Sequence, residues 1–238
     1  NAATSWRDKA LWLLLAASGI RMSEARNMLL EDVLPDEQKV YVIDPTKRRF
    51  QPPPSVLMQP RFKGREIAAT YLFPPLRQQF FSALEQYLKL EYVPTAKPGE
   101  AKFLFQYDEP TRRGLPLVNA SDTALTNSFK KAARKANVPL RFDGREYTVH
   151  SLRHLYGVYM LNDYPVDVSN RRYGLPLTDV QMLMGHAKIS STQMYARAKR
   201  DRLMQKLEAS DQALLHLAPQ ELKLLPVAIV EGLERGHD

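Results

Sequence analysis

Four short stretches of the chain hold side chains whose types and spacing suit work on an anion. Arg21 sits in Ser18-Gly19-Ile20-Arg21-Met22-Ser23-Glu24, His150 and Arg153 in His-Ser-Leu-Arg-His, His186 directly after Gly185, and Tyr195 nine positions beyond that histidine. Planar guanidinium groups are shaped to take two oxygens of one phosphate at once, so Arg21 and Arg153 form a candidate clamp for a phosphodiester under attack. His150 and Arg153 are three residues apart and share a face if their stretch is helical. His186, following a helix-ending glycine, offers one more N–H, and losing a single preorganised donor of this kind costs about 10²- to 10³-fold in rate. The phenol of Tyr195 is the candidate nucleophile. It would hold the phosphoryl group as an ester and keep its bond energy for resealing, so no ATP is needed. An ordinary phenol has a pKa of about 10, so it needs a cationic pocket and a base.

These residues must be carried by folded elements, and the composition allows it. The chain has 238 residues, 44% of them hydrophobic, with 34 Lys+Arg against 26 Asp+Glu and a formal net charge of +8. That is enough apolar material for a core. The excess of basic residues makes nucleic acid a candidate partner, and the basic runs at 47–49, 112–113, 130–135 and 171–172 interleave with apolar residues, as on a folded surface. The absence of cysteine excludes a disulfide framework, a thiolate zinc cluster and a cysteine nucleophile. The five histidines are scattered, so no metal site is expected. The densest apolar run, residues 10–17, is far short of the roughly 20 residues that cross a bilayer, and no export signal precedes it. The reading is a cytoplasmic protein without a membrane partner. Because the chain starts at Asn1 and enters a helix almost at once, it reads as a fragment of a longer polypeptide.

Periodicity predicts a helix over 5–18 ended by Gly19, a second over 22–30, a long one from Pro74 to about Tyr92, and others over 122–137 and 148–162. Strands are expected at 39–43, 55–58 and 66–73, with Pro52-Pro53-Pro54 as a loop and Lys63-Gly64 as a turn. Residues 163–177, rich in turn formers, read as a surface excursion. Thr178 and Gln181 read as a capping box for a short helix ending at Gly185. The last forty residues look mostly helical. The fold class is therefore α+β, mainly α-helical with a small three-stranded antiparallel sheet.

Together, the arginine after a Ser-Gly-hydrophobic turn, the His-x-x-Arg pair, the Gly-His step and the tyrosine nine residues later resemble the tyrosine recombinases, or phage integrase family, over about residues 5–200. Met184 stands where that family usually has leucine. The resemblance implies the catalytic-domain fold of a DNA breaking-rejoining enzyme over 1–200, with 201–238 as a carboxyl-terminal helical segment able to link subunits. It also implies that the family's amino-terminal core-binding domain is absent.

The activity so implied is site-specific recombination through a 3′-phosphotyrosyl intermediate, without metal, ATP or cofactor. The catalytic set would be Tyr195, Arg21, Lys63, His150, Arg153 and His186. His150 would be the base, Lys63 would give a proton to the departing 5′ oxygen, and Glu24 would support the site. Lys47 is the rival to Lys63, because Val42-Ile43-Asp44-Pro45-Thr46-Lys47 also fits the strand-then-lysine pattern. His154 reads as a packing residue. The partner implied is double-stranded DNA, with self-association to a tetramer on DNA and a monomer when free. Insertions relative to a compact recombinase suggest integration or excision of a mobile element. Two alternatives use the same scaffold: a type IB topoisomerase that lets the duplex swivel, and a DNA-binding protein with idle chemistry.

Overall fold

A computed structural model describes residues 5–57, 62, 65, 68–142, 144–170, 172–186 and 190–193. Lys63, Arg171, Tyr195 and the segment 201–238, all named above, lie outside the described residues.

Helix α1 (Trp6–Ser18) is the central element. Its start is set by Ser5, whose hydroxyl accepts from the Asp8 amide, and its end by Gly19 in the left-handed conformation at φ +62°. Ala10, Leu11, Leu14 and Ala17 of α1 form one fully buried face, and Asp8, Leu15 and Ala16 on the other side are buried as well, so the helix is enclosed rather than one-sided. It packs chiefly against α3 (Pro74–Leu90) and then against α5 (His150–Asn162). Full burial of each leucine contributes roughly 1.5–3 kcal/mol. The first turn of α1 is tied to the far end of α3, because Glu91 accepts from the Trp6 and Arg7 amides at 2.8 and 2.9 Å. Asp8, also buried, receives Ser128 Oγ of α4 (Asp122–Lys135) at 2.6 Å, which docks α4 on α1.

The sheet is three-stranded and antiparallel, in the order β1 (Val33–Leu34), β2 (Lys39–Tyr41), β3 (Ala69–Thr70). Val33 pairs with Val40, and Val40 with Thr70. The expected class is met, but its composition differs from the sequence reading. Residues 55–57 form turn and loop rather than strand, with the Val56 amide bonded to Pro53 O at 2.9 Å. The first strand is instead Val33–Leu34, two residues long and too short to display a period of two. It is folded back by the turn in which the Gln38 amide donates to Pro35 O.

Other expectations also shift. The helix expected over 22–30 stops early: α2 spans Met22–Arg26, and a 3₁₀ turn follows at Leu30–Asp32. Asp32 is buried there, accepting from the Leu29 amide and from Arg48. Arg48, in the middle of the basic run at 47–49, is thus an internal ion pair, its side chain only 7% exposed. The excursion at 163–177 contains a hairpin, β6 (Pro165–Asp167) with β7 (Arg172–Tyr173), and β4 (Arg141–Phe142) with β5 (Arg145–Glu146) makes another. Helix α6 (Leu177–Met184) begins at Pro176 as its N-cap, so Thr178 lies inside the helix and the expected capping box does not form. Its end at Gly185, left-handed at φ +60°, is as expected. No described helix is long and apolar enough to cross a membrane.

Candidate active site

Gly19 does two jobs at the end of α1. Its positive φ turns the chain toward α2, and a Cβ there would come within 2.4 Å of the Tyr156 ring, so α5 can lie against this turn only because the side chain is missing. The turn delivers Arg21 to the N-cap position of α2. Glu24, at the third helical position, reaches back to the Arg21 amide at 2.7 Å and also takes Arg21 Nη1 at 2.8 Å. One buried carboxylate therefore fixes both backbone and guanidinium of Arg21.

The C-terminal end of α6 gathers the cations. A helix ends with carbonyls that have no intrahelical partner and a partial negative charge. Three successive carbonyls here each accept from a different arginine: Leu183 O from Arg65 Nη2, Met184 O from Arg153 Nη2 at 2.7 Å, and Gly185 O from Arg21 Nη2 at 2.7 Å. Arg153 also donates from Nη1 to Gly19 O, joining the two glycine turns through one buried guanidinium. His186 comes next in the chain. Its amide donates to Gln181 O at 3.0 Å and its carbonyl accepts from Gln181 Nε2 at 3.1 Å, which pins its backbone on both sides.

His186 is surrounded by positive charge. Burial first, then Arg153, Arg21, Arg65 and His150, push its pKa down from the usual 6.5 to about 4. The ring is neutral at pH 7. Nδ1 lies 2.9 Å from the hydroxyl of the fully buried Thr192. When that hydroxyl donates to Nδ1, the ring proton sits on Nε2.

A cleft of about 340 Å³ opens beside this cluster, lined by Arg21, His150 and Arg153 together with Ser23, Thr126 and Thr148. His150 is exposed at the first position of α5, and its ring meets that of His154 edge-on at 4.8 Å. Arg21, His150 and Arg153 thus line one cleft, and His186 is joined to it through the carbonyls that Arg21 and Arg153 hold. Glu24 is the carboxylate beneath them. Lys47 lies at the end of an exposed 3₁₀ turn, Pro45–Lys47. Both Lys47 and Lys63 fall, by chain order, within the connection from β2 to β3. Among the described residues no group of three His, Asp or Glu side chains is arranged to hold a metal ion.

Sequence reasoning missed Arg65 and Thr192. Arg65 stands in a stretch read as the approach to a strand, and nothing in its spacing marks it. A buried arginine is rare enough to signal a special role once burial is known, but burial is not visible in a short irregular segment. Thr192 stands among other hydrogen-bonding residues, between Ser191 and Gln193, and nothing in its spacing marks it.

Comparisons with known proteins bear on the fold and the family. The chain is 27% identical over 197 residues to tyrosine recombinase XerC of Neisseria meningitidis serogroup B, an alignment covering 83% of this chain and 50% of that protein. It is 26% identical over 208 residues to tyrosine recombinase XerA of Pyrococcus horikoshii, covering 87% and 56%. The chain therefore spans about half the length of the curated relatives it matches. Among solved structures, a XerA recombinase superposes with a TM-score of 0.52 at 21% identity, covering 86% of this chain and 58% of that one. The XerH recombinase bound to palindromic difH superposes with a TM-score of 0.54 at 18% identity, covering 87% and 46%. These likenesses establish the shared fold. The sequence profile of the phage integrase family matches residues 1–202, and the chain belongs to that family.

Proposed function

We propose that the chain carries the catalytic centre of a site-specific DNA recombinase that cuts and rejoins strands through a phosphotyrosyl intermediate at Tyr195. The observation that supports this most is the set of successive carbonyls at the end of α6. They bring Arg21 and Arg153 together beside a neutral histidine, with the Glu24 carboxylate paired to Arg21. A phosphodiester gains negative charge on its non-bridging oxygens as it is attacked, and a preorganised cationic site stabilises that charge more than it stabilises the ground state.

In the proposed step the Tyr195 oxygen attacks phosphorus, the bond from phosphorus to the 5′ oxygen breaks, and the 3′ phosphate stays on the tyrosine. His150 takes the phenolic proton. Lys63 gives a proton to the departing 5′ oxygen, an assistance worth roughly 10²- to 10⁴-fold. Arg21 and Arg153 hold the non-bridging oxygens, and His186 donates a further hydrogen bond. Attack by a partner strand's 5′ hydroxyl reverses the chemistry onto new DNA. No metal or cofactor enters this scheme. The substrate is double-stranded DNA, and exchange between two duplexes requires four copies on the DNA. The proposed role is integration or excision of a mobile element.

The test uses a pool of nicked duplexes with randomised arms, from which the short strand beyond the scissile phosphate diffuses away and traps the adduct. The chain should become covalently attached in the presence of EDTA, and Tyr195→Phe should abolish attachment while retaining DNA binding. Persistent attachment in Tyr195→Phe, or dependence on a divalent metal, would overturn the mechanism. Sites recovered from the pool should match the ends of the DNA element that encodes the chain if the mobile-element role holds. Relaxation of supercoils without any preferred sequence would favour swivelling instead.

A further inference from the structure

Arg65 belongs to the cluster around α6 yet differs from its neighbours in one respect. Its side chain is 1% exposed and, unlike Arg21 and Arg153, it does not line the cleft. It has three points of attachment. Nη2 donates to Leu183 O, Nη1 faces Glu24 Oε2 at 3.7 Å, and its stem lies beneath Gly185, where a Cβ would come within 2.7 Å of Arg65 Cγ and 2.8 Å of Nε. Nε and Nη1 find no hydrogen-bond acceptor among the described residues. A guanidinium desolvated to this degree with incomplete compensation is costly. Burial accordingly lowers its pKa, with Glu24 acting in the opposite direction.

We propose that Arg65 is a positioning residue. It sets the last turn of α6 and the Glu24 carboxylate in one place, and so fixes where Arg21 and His186 present their N–H groups, without itself touching the substrate. The geometry supports action through others. Glu24 is shared between Arg65 and Arg21, so its location depends on both. Leu183 O and Gly185, the two parts of the turn that Arg65 touches, flank the Met184 carbonyl that holds Arg153. Gly185 must be glycine for a second reason besides its left-handed φ: the Arg65 stem occupies the space a side chain would take. A lysine could keep the charge of Arg65 but could not reach the carbonyl and the carboxylate with the same planar fork.

This inference rests on the recombinase reading for its activity measurements, and the test separates the two. Arg65→Lys and Arg65→Met are compared with the unchanged chain in three measurements: covalent attachment to the nicked duplex pool, DNA affinity as a function of salt, and the NMR signals of the histidine rings in the DNA-free chain. Both variants should slow attachment by about 10²-fold, the scale of a misplacement of about an ångström. The salt slope of DNA binding should stay unchanged, and both should shift the His186 ring signal in the free chain. A salt slope reduced by about one in Arg65→Met would make Arg65 a direct phosphate ligand and overturn the proposal. Wild-type attachment by Arg65→Lys would overturn it too, since charge alone would then suffice. If the unchanged chain attaches to no duplex, the recombinase reading fails, and the ring signals still decide: an undisturbed His186 in both variants refutes the positioning role.

Discussion

Replacing Glu24 with glutamine tests the electrostatics of the site with almost no change of shape. The carboxylate is fully buried and accepts the Arg21 amide at 2.7 Å and Arg21 Nη1 at 2.8 Å, while Arg65 Nη1 stands 3.7 Å away. Glutamine keeps one accepting oxygen but must turn its NH₂ toward a donor. It also leaves two neighbouring guanidiniums without the anion that offsets them. Breaking a buried pair by removing one partner costs about 3–5 kcal/mol. In a chain of this size each kcal/mol is worth roughly 2–4 °C in thermal midpoint, so Glu24→Gln should melt about 10 °C lower. The loss should be partly recovered by added sulfate, which can replace the missing negative charge in the cleft. It should also be smaller than additive when combined with Arg65→Met, with a coupling of about 1–3 kcal/mol. A midpoint within about 2 °C of the unchanged chain, or strict additivity with Arg65→Met, would show that Glu24 does not hold the two arginines.

Three other outcomes follow from the same geometry. The His186 ring, followed by NMR in the folded chain, should titrate at about 4 rather than 6.5. Because its folded pKa lies below the unfolded one, stability should be complete above about pH 6.5 and decline as pH falls toward 4; titration near 6.5 would contradict the crowding of cations around it. Gly185→Ala should cost about 2–3 kcal/mol, measured by urea unfolding, because the left-handed turn is strained and the new methyl meets Arg65 Cγ at 2.7 Å. Combining it with Arg65→Ala should relieve part of that cost, and equal losses with and without Arg65 would place the strain elsewhere. Glu91→Ala should destabilise by about 1–2 kcal/mol in the same assay, since Glu91 accepts two amides of the first turn of α1; an unchanged midpoint would mean that water replaces the carboxylate without loss.

What could be read from the sequence was whatever local chemistry determines. Gly19 and Gly185 were recognisable as helix ends because a left-handed residue after an apolar helical run is a local event, and both occur where expected. Arg21, His150, Arg153 and His186 stood out through motif spacing, and three of them line one cleft. The long helix from Pro74 was announced by its paired prolines and an apolar face. Features determined by distant contacts were hidden. Strand β1 has two residues and exists because Val40 pairs with Val33 on one side and Thr70 on the other. Helix α2 ends early because the following residues are recruited by Asp32 and by Phe103, which bridges to Leu29. Arg48 and Arg65 look like surface charges in the sequence, and their burial depends on Asp32 and Glu24, 16 and 41 positions away. The clamp of arginines on α6 joins residues more than a hundred positions apart in two of its three bonds, so no spacing rule reveals it.

The measurement that bears most directly on the proposed chemistry is location of the covalent bond. Protein captured on nicked duplex is digested with protease and nuclease, and the peptide that retains a nucleotide is sequenced by mass spectrometry. The cleft lined by the cationic Arg21 and Arg153, with the neutral His186 beside it, predicts a nucleotide 3′-phosphate on Tyr195 and on no other residue. A nucleotide on another side chain, or cleaved DNA with no peptide attached, would contradict the account.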